Sequence, residues 1–303
     1  MDRDQKENLI KIAGDGLSFG RPMSKHTTFR VGGPAEAMYM ASDLNTLRNV
    51  IRYLIERDIP YVVIGNGSNL LVKDGGLEGV AIFLCGALAS CEKSCTEEFT
   101  LMAGAGLGLD GLLNCCRRSG LGGLEFLAGI PGSVGGATVM NSGAYGSEIQ
   151  SRVRDVHLII PPGNLAVRKR SELKFSYRAL FVEQGSVIVQ VSFKLEEEKE
   201  EDISKNIMEF LVRRKKRQPL QYPSAGSVFK NPPGDYAGRL LDSVGLKGEK
   251  IGGAMISEKH SNFIVNTGGA TAQDILKLIS LARDKVKKET GVELEPEIRV
   301  MGR

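Results

Sequence analysis

Residues 120–146, GLGGLEFLAGIPGSVGGATVMNSGAYG, carry nine glycines in 27 positions and follow neither a helical nor a strand period. If such a stretch is buried, its backbone N–H and C=O groups need partners that regular structure does not supply. Those partners come from elsewhere in the chain or from a ligand. The part at 129–146 has few side chains larger than Val, so its backbone can approach a neighbour closely.

A second glycine motif, GNGSN at 65–69, follows a short apolar strand expected at Tyr61–Ile64. Gly65 and Gly67 permit a tight turn that exposes successive N–H groups, and Ser68 and Asn69 add side-chain donors. That describes an anion-binding nest; an ordinary strand-to-strand turn fits it equally well. Two nests flanking a sheet suit a long ligand with a diphosphate in its middle. No G-x-x-x-x-G-K-[ST] occurs, which argues against a P-loop nucleotidase. GLGLDG at 106–111 matches G-x-G-x-x-G, but a dinucleotide fold also needs a second parallel strand ending in an acid about 20 residues on. Here the helix runs into the irregular stretch, with Glu125 inside it, so a glycine-rich strand-to-helix turn is the better reading.

Bulk properties narrow the class. With 303 residues and 42% hydrophobic content the chain can bury a substantial core, and disorder is excluded as its main state. Its apolar runs, such as Val80–Cys85 and Val187–Val191, fall short of the ~18 residues a membrane span needs. Met1–Glu7 is polar and mixed in charge, so no signal peptide and a cytoplasmic location are expected. A net charge of +4, no Trp and 6% aromatics argue against a nucleic-acid binder. Five cysteines at 85, 91, 95, 115 and 116 do not suggest a disulfide framework. Cys91 and Cys95 lack a second ligand pair, so no metal is expected.

The periodicities give an α+β reading. Helices are expected at 43–58, with Asp43 capping a stripe of Leu44, Leu47, Ile51, Leu54 and Ile55, then at Leu109–Arg118, Ile203–Arg217, Tyr236–Val244 and Ala272–Glu289. Strands are expected at Leu70–Lys73, Val80–Leu84, Phe99–Ala103, Val153–Ile160, Val187–Leu195, Asn262–Val265 and Val292–Val300. Residues 218–234 read as a second irregular loop. It holds SAGSVFKNP, in which Ser227 lacks any recognisable His partner and so is either structural or a proton donor of another kind. The run Arg213–Arg217 reads as a solvated helix end, a nucleic-acid patch or a phosphate holder.

Taken in order, GNGSN, AGIPGSVGGATVMNSGAYG, FSYR, PSAGSVFKNP and LEPEIRVMG resemble the UDP-N-acetylenolpyruvoylglucosamine reductases, from about Ser24 to Gly302. The stretch between Arg178 and Ser227 has no room for an extra tyrosine-bearing loop, as in the shorter subtype. The resemblance implies an FAD-binding domain of the vanillyl-alcohol-oxidase or p-cresol-methylhydroxylase type, in two α/β subdomains at 1–85 and 86–202. An α+β substrate domain at 203–303 would follow. It implies non-covalent FAD, NADPH as co-substrate and a UDP-sugar as substrate, with no nucleic acid, membrane or obligatory protein partner. The implied reaction reduces an enolpyruvyl ether to a lactyl ether in peptidoglycan precursor synthesis.

The catalytic positions so implied are Arg178, Ser227 and Glu297. The implied FAD positions in the first motif are Gly65, Asn66, Gly67, Ser68 and Asn69. In the second they are Gly129, Ile130, Pro131, Gly132 and Ser133, then Gly135, Gly136 and Ala137, and finally Asn141, Ala144 and Gly146. Tyr177, Arg213, Arg217, Lys230 and Asn231 are candidates for the UDP-sugar. Two rival readings are an FAD-dependent oxidase of a small alcohol and a non-catalytic nucleotide-binding protein.

Overall fold

The computed structural model describes residues 1–303. Its seven helices are α1 (Arg3–Ala13), α2 (Leu44–Glu56), α3 (Leu109–Ser119), α4 (Val134–Val139), α5 (Glu200–Arg217), α6 (Ala237–Ser243) and α7 (Ala272–Thr290). The chain divides into two compact units. The first gathers 1–19, 37–66 and 79–212; the second gathers 20–36, 67–78 and 213–303. Two short segments of the N-terminal third thus belong with the C-terminal part of the chain.

The first unit holds two layered cores. A sheet with the order Leu17–Pro22, Pro34–Ala41, Leu77–Leu84, Tyr61–Val63 packs with α2. The Asp43 carboxylate accepts from the Thr46 N–H at 2.8 Å and starts α2 at the expected place. Leu47, Val50, Ile51 and Leu54 are fully buried in one core with Tyr39, Val80 and Ile82. Helix α1 adds Leu9 to that core and is capped by Asp2; the polar N-terminal sequence conceals it.

The second layer is a five-stranded antiparallel sheet, ordered Asn164–Lys169, Val153–Ile160, Val187–Lys194, Thr100–Gly104, Cys91–Lys93. Leu112 and Cys116 of α3 share its core with Leu101, Val156, Val191 and Phe193. Both neighbours of Thr100–Gly104 are antiparallel, so the 106–111 glycine motif is a strand-to-helix turn and not a parallel dinucleotide unit. Gly120, left-handed at φ 62°, ends α3 as the sequence indicates.

Residues 120–146 prove more regular than expected. They contain α4 and a small hairpin pairing Gly143–Ala144 with Ser147–Glu148. A helix of six residues with two adjacent glycines is weak on its own. Tertiary bonds hold it: Val134 and Gly135 N–H donate to the Leu107 and Ala105 carbonyls, each at 2.8 Å.

The second unit centres on an antiparallel sheet ordered Ser224–Ser227, Phe263–Asn266, Ala254–Ile256, Lys250–Ile251. The loop expected at 218–234 therefore contributes an edge strand. Helices α6 and α7 pack on this sheet through Leu240, Ile275, Leu278 and Val286, in one core with Ile264. Thr271 and Asp274 form a capping box at the start of α7, and Gly291 closes it at φ 73°. The strand expected at Val292–Val300 shrinks to Arg299–Met301, parallel to Leu70–Val72. Upstream of it, Pro296 takes part only in an isolated antiparallel bridge with Phe229. No helix is long and apolar enough to cross a membrane.

Candidate active site

In the first unit the start of the first glycine motif, Gly65, meets Ser133 of the second. Ser133 is buried, and its Oγ accepts the Gly136 N–H at 3.2 Å to cap α4. A β-carbon at Gly65 would collide with that Oγ. Gly136 differs: a β-carbon there meets only Ser133 Oγ, at 3.3 Å, and its φ is not left-handed. Gly129, Pro131 and Gly146 are exposed, Ile130 and Ala144 half-buried, and Gly132, Gly135 and Ala137 buried.

Asn141 is fully buried at a left-handed φ of 41°. Its Nδ2 donates to Glu148 Oε2 at 2.8 Å and to the Ser176 carbonyl at 2.9 Å, while its Oδ1 accepts the Gln150 N–H at 3.3 Å. Ser176 begins the turn that carries Tyr177 and Arg178, between paired strands Lys174–Ser176 and Ala179–Phe181. Arg178 has φ 61°, a strained value for a residue with a side chain. Its guanidinium carbon lies 4.8 Å from the Tyr177 ring centroid, so the two expected site residues stack.

The second unit brings together Ser227, Glu297 and Asn69. Ser227 ends its edge strand opposite Phe263, after a bulge that Gly226 accommodates at φ 73°. The Glu297 N–H donates to the Val228 carbonyl at 2.7 Å, and Lys230 N–H donates to the Glu295 carbonyl at 2.9 Å. Asn69 Nδ2 donates to the Glu297 carbonyl at 3.1 Å, and the Asn69 carbonyl accepts from Arg299 N–H at 3.0 Å. Both Ser227 and Glu297 are half-buried.

Gly67, in the same unit, lies at φ 60° with its α-carbon against the His26 and Thr27 backbone, where only glycine fits. Lys230 Nζ pairs with Glu295 Oε1 at 2.5 Å, and Asn231 Oδ1 accepts the Ala237 N–H at 3.1 Å. Arg213 and Arg217 are exposed; within the basic run only Arg214 is buried. The sequence reading passed over Asn262 and Glu148, because a lone polar residue with distant partners leaves no local pattern.

The donor set suits a dinucleotide. None of the backbone N–H groups of Gly65, Asn66, Gly67 and Ser68 is taken by a protein acceptor. Bare backbone N–H groups beside glycines are what a diphosphate uses. The motif contains no Cys or His to attach a flavin covalently.

Residues 35–167 match the model of an FAD binding domain. A VAO-type flavoprotein of Myceliophthora thermophila superposes with a TM-score of 0.50 at 12% identity, over 65% of this chain and 47% of that one, a likeness of fold alone. The chain thus carries an FAD-binding domain with the fold of the vanillyl-alcohol-oxidase-type flavoproteins, together with a further α+β domain. Residues 218–301 match the C-terminal domain of UDP-N-acetylenolpyruvoylglucosamine reductase.

The reductase of that name from Caldanaerobacter subterraneus subsp. tengcongensis is 43% identical, over 98% of this chain and 97% of its own. Its namesake from Clostridium botulinum is 44% identical, over 96% and 94%. The crystal structure of the Thermus caldophilus reductase aligns with a TM-score of 0.80 at 38% identity, over 94% of this chain and 98% of that one. The chain belongs to the UDP-N-acetylenolpyruvoylglucosamine reductase family.

Proposed function

We propose that the chain reduces the enolpyruvyl ether of a UDP-N-acetylglucosamine to the lactyl ether of UDP-N-acetylmuramate, with NADPH as electron source, in peptidoglycan precursor synthesis. The observation that carries this reading is the backbone pairing of the Ser227 and Glu297 segments in the second unit, in a chain that also carries a flavin domain of the matching family. FAD, when bound, supplies hydride transfer from NADPH to the β-carbon of the enolpyruvyl group. The loops at 65–69 and 129–146 hold its diphosphate through backbone N–H groups.

The remaining work belongs to side chains. Arg178 clamps the substrate carboxylate with its planar fork of donors and stabilises negative charge there as hydride arrives. Its stacking on Tyr177 and its turn geometry fix the direction of the fork. Glu297 hydrogen-bonds the same carboxylate side in the enol form. Ser227 Oγ then gives its proton to the α-carbon. A hydroxyl is a weak acid, so it serves only against a strongly basic carbon and only when well placed. Tyr177, Arg213, Arg217, Lys230 and Asn231 hold the UDP-sugar. Residues 1–202 serve FAD and 203–303 serve the sugar nucleotide. The enzyme works in the cytoplasm with these two small molecules as its only obligatory partners.

Anaerobic titration tests the reading. The purified protein should be yellow, NADPH should bleach it, and the enolpyruvyl substrate should restore the colour. A colourless protein points to a nucleotide-binding module, and bleaching by a small alcohol but not NADPH points to an oxidase.

A further inference from the structure

The edge strand that ends at Ser227 runs out of ordinary ladder partners at the point where it must place that hydroxyl. Ser224 and Ser227 face Val265 and Phe263, with the bulge between them. The next bond is still backbone to backbone: Val228 N–H donates to the Asn262 carbonyl at 2.8 Å. After that the side chain of Asn262 replaces a strand. Its Oδ1 accepts the Phe229 N–H at 2.9 Å, and its Nδ2 donates to the Phe229 carbonyl at 2.8 Å. Asn262 is 3% exposed and Phe229 2%, so water cannot substitute for either bond. On the other side, the Val228 carbonyl takes the Glu297 N–H. The two residues after Ser227 are thus gripped by Asn262 on one flank and by the Glu297 segment on the other.

We propose that Asn262 is a positioning residue for proton delivery by Ser227. The proposal rests on the reading of Ser227 as proton donor given above. In that step the Ser227 O–H bond breaks as the C–H bond at the substrate α-carbon forms, and solvent water restores the hydroxyl proton. A weak acid delivering a proton to carbon depends on placement; an error of about 1 Å is enough to cost ~100-fold. Asn262 limits that error by holding both the N–H and the carbonyl of Phe229. Among side chains of its size, only a primary amide offers a donor and an acceptor in that geometry.

Asn262→Asp keeps the size and the acceptor but turns the donor into an oxygen facing the Phe229 carbonyl. Asn262→Ala removes both bonds. The purified, FAD-loaded variants are compared with the parent and with Ser227→Ala for flavin content, for deuterium uptake in peptides spanning 224–232, and for each half-reaction by anaerobic stopped flow. In Asn262→Asp we expect parental flavin content, faster exchange confined to that peptide, reduction by NADPH within about twofold, and reoxidation by the enolpyruvyl substrate slowed ~10–100-fold. The double variant with Ser227→Ala should reoxidise no more slowly than Ser227→Ala alone, because both changes remove the same event.

Loss of flavin, equal slowing of both half-reactions, or multiplied losses in the double variant would overturn the proposal, since each marks a general structural role. If Asn262→Asp reoxidises normally while Ser227→Ala does not, this proposal alone fails. Should Ser227→Ala itself reoxidise normally, the proton-donor reading falls first and this proposal with it. Asn262→Asp decides the matter even if Asn262→Ala does not fold.

Discussion

The backbone N–H of Glu297 reaches the carbonyl oxygen of Val228 across 2.7 Å, and so joins the residue after Ser227 to the only acid in the last motif that the family resemblance places at the chemistry. The two positions lie 70 residues apart in sequence (297 − 227). The side chain of Asn69 fastens the same segment from a third direction. This backbone pairing ties together the two segments that carry the proposed proton donor and the proposed carboxyl group.

Gly136 and Gly67 separate ligand approach from packing. A β-carbon at Gly136 meets little protein, so Gly136→Val should keep the fold and lose flavin. Gly67→Ala should lose stability, by about 1–3 kcal/mol, because its β-carbon meets the His26 and Thr27 backbone at a left-handed φ. The ratio of flavin to protein absorbance and a thermal melt check the pair. Full flavin retention in Gly136→Val would remove that residue from the FAD site.

Asp74 supplies a second cap to α7 from the far end of the sequence. Its Oδ1 accepts the Ala272 N–H at 2.9 Å and its Oδ2 the Gln273 N–H at 3.1 Å. Asp74→Ala should cost about 1–2 kcal/mol in a denaturant titration, with Thr271 still capping the same helix. An unchanged midpoint would show that the Thr271–Asp274 box suffices alone.

His260 gives the fold an acid-side weakness. Burial lowers its pKa from the ordinary 6.5, and the Lys247 charge adds to this while Asp242 opposes it. Its Nδ1 accepts the Asn262 N–H at 3.3 Å, a bond that only the unprotonated nitrogen can take. The unfolded chain therefore binds a proton more readily than the folded one, and stability is lost as pH falls below about 6.5. His26 is lowered by burial too, with Lys25 and Arg21 contributing, so it shares the effect. In melts from pH 7.5 to 5.5, His260→Gln should lose less stability on acidification than the parent. An identical slope would assign the loss to other groups.

What the sequence disclosed follows the range of the interactions. Helices α2 and α7 were legible because their signals are local: a cap and an apolar stripe from Asp43 to Ile55 in α2, and an amphipathic run between Thr271 and Gly291 in α7. The glycine motifs and the order of FSYR, SAGSVF and PEIRVMG were legible as a family pattern. Helix α4 was not, since its bonds run to Ala105 and Leu107 and override two glycines that disfavour a helix. Asn141, Asn262 and Asp74 were silent for the same reason: their side chains bind Ser176, Phe229 and Ala272, which lie 35, 33 and 198 positions away. The segment at 292–300 was read as one strand, whereas its pairing is divided between an isolated bridge of Pro296 with Phe229 and the short parallel strand Arg299–Met301, both to partners distant in sequence.

The separate half-reactions of Ser227→Ala decide whether the Ser227 hydroxyl delivers the proton. Anaerobic stopped-flow absorbance of the flavin band follows reduction by NADPH and then reoxidation by the enolpyruvyl substrate. We expect reduction within about twofold of the parent and reoxidation slowed ~100- to 10,000-fold, the range a general acid supplies. Slowed reduction with parental reoxidation would contradict it and move Ser227 from proton delivery to the nicotinamide step.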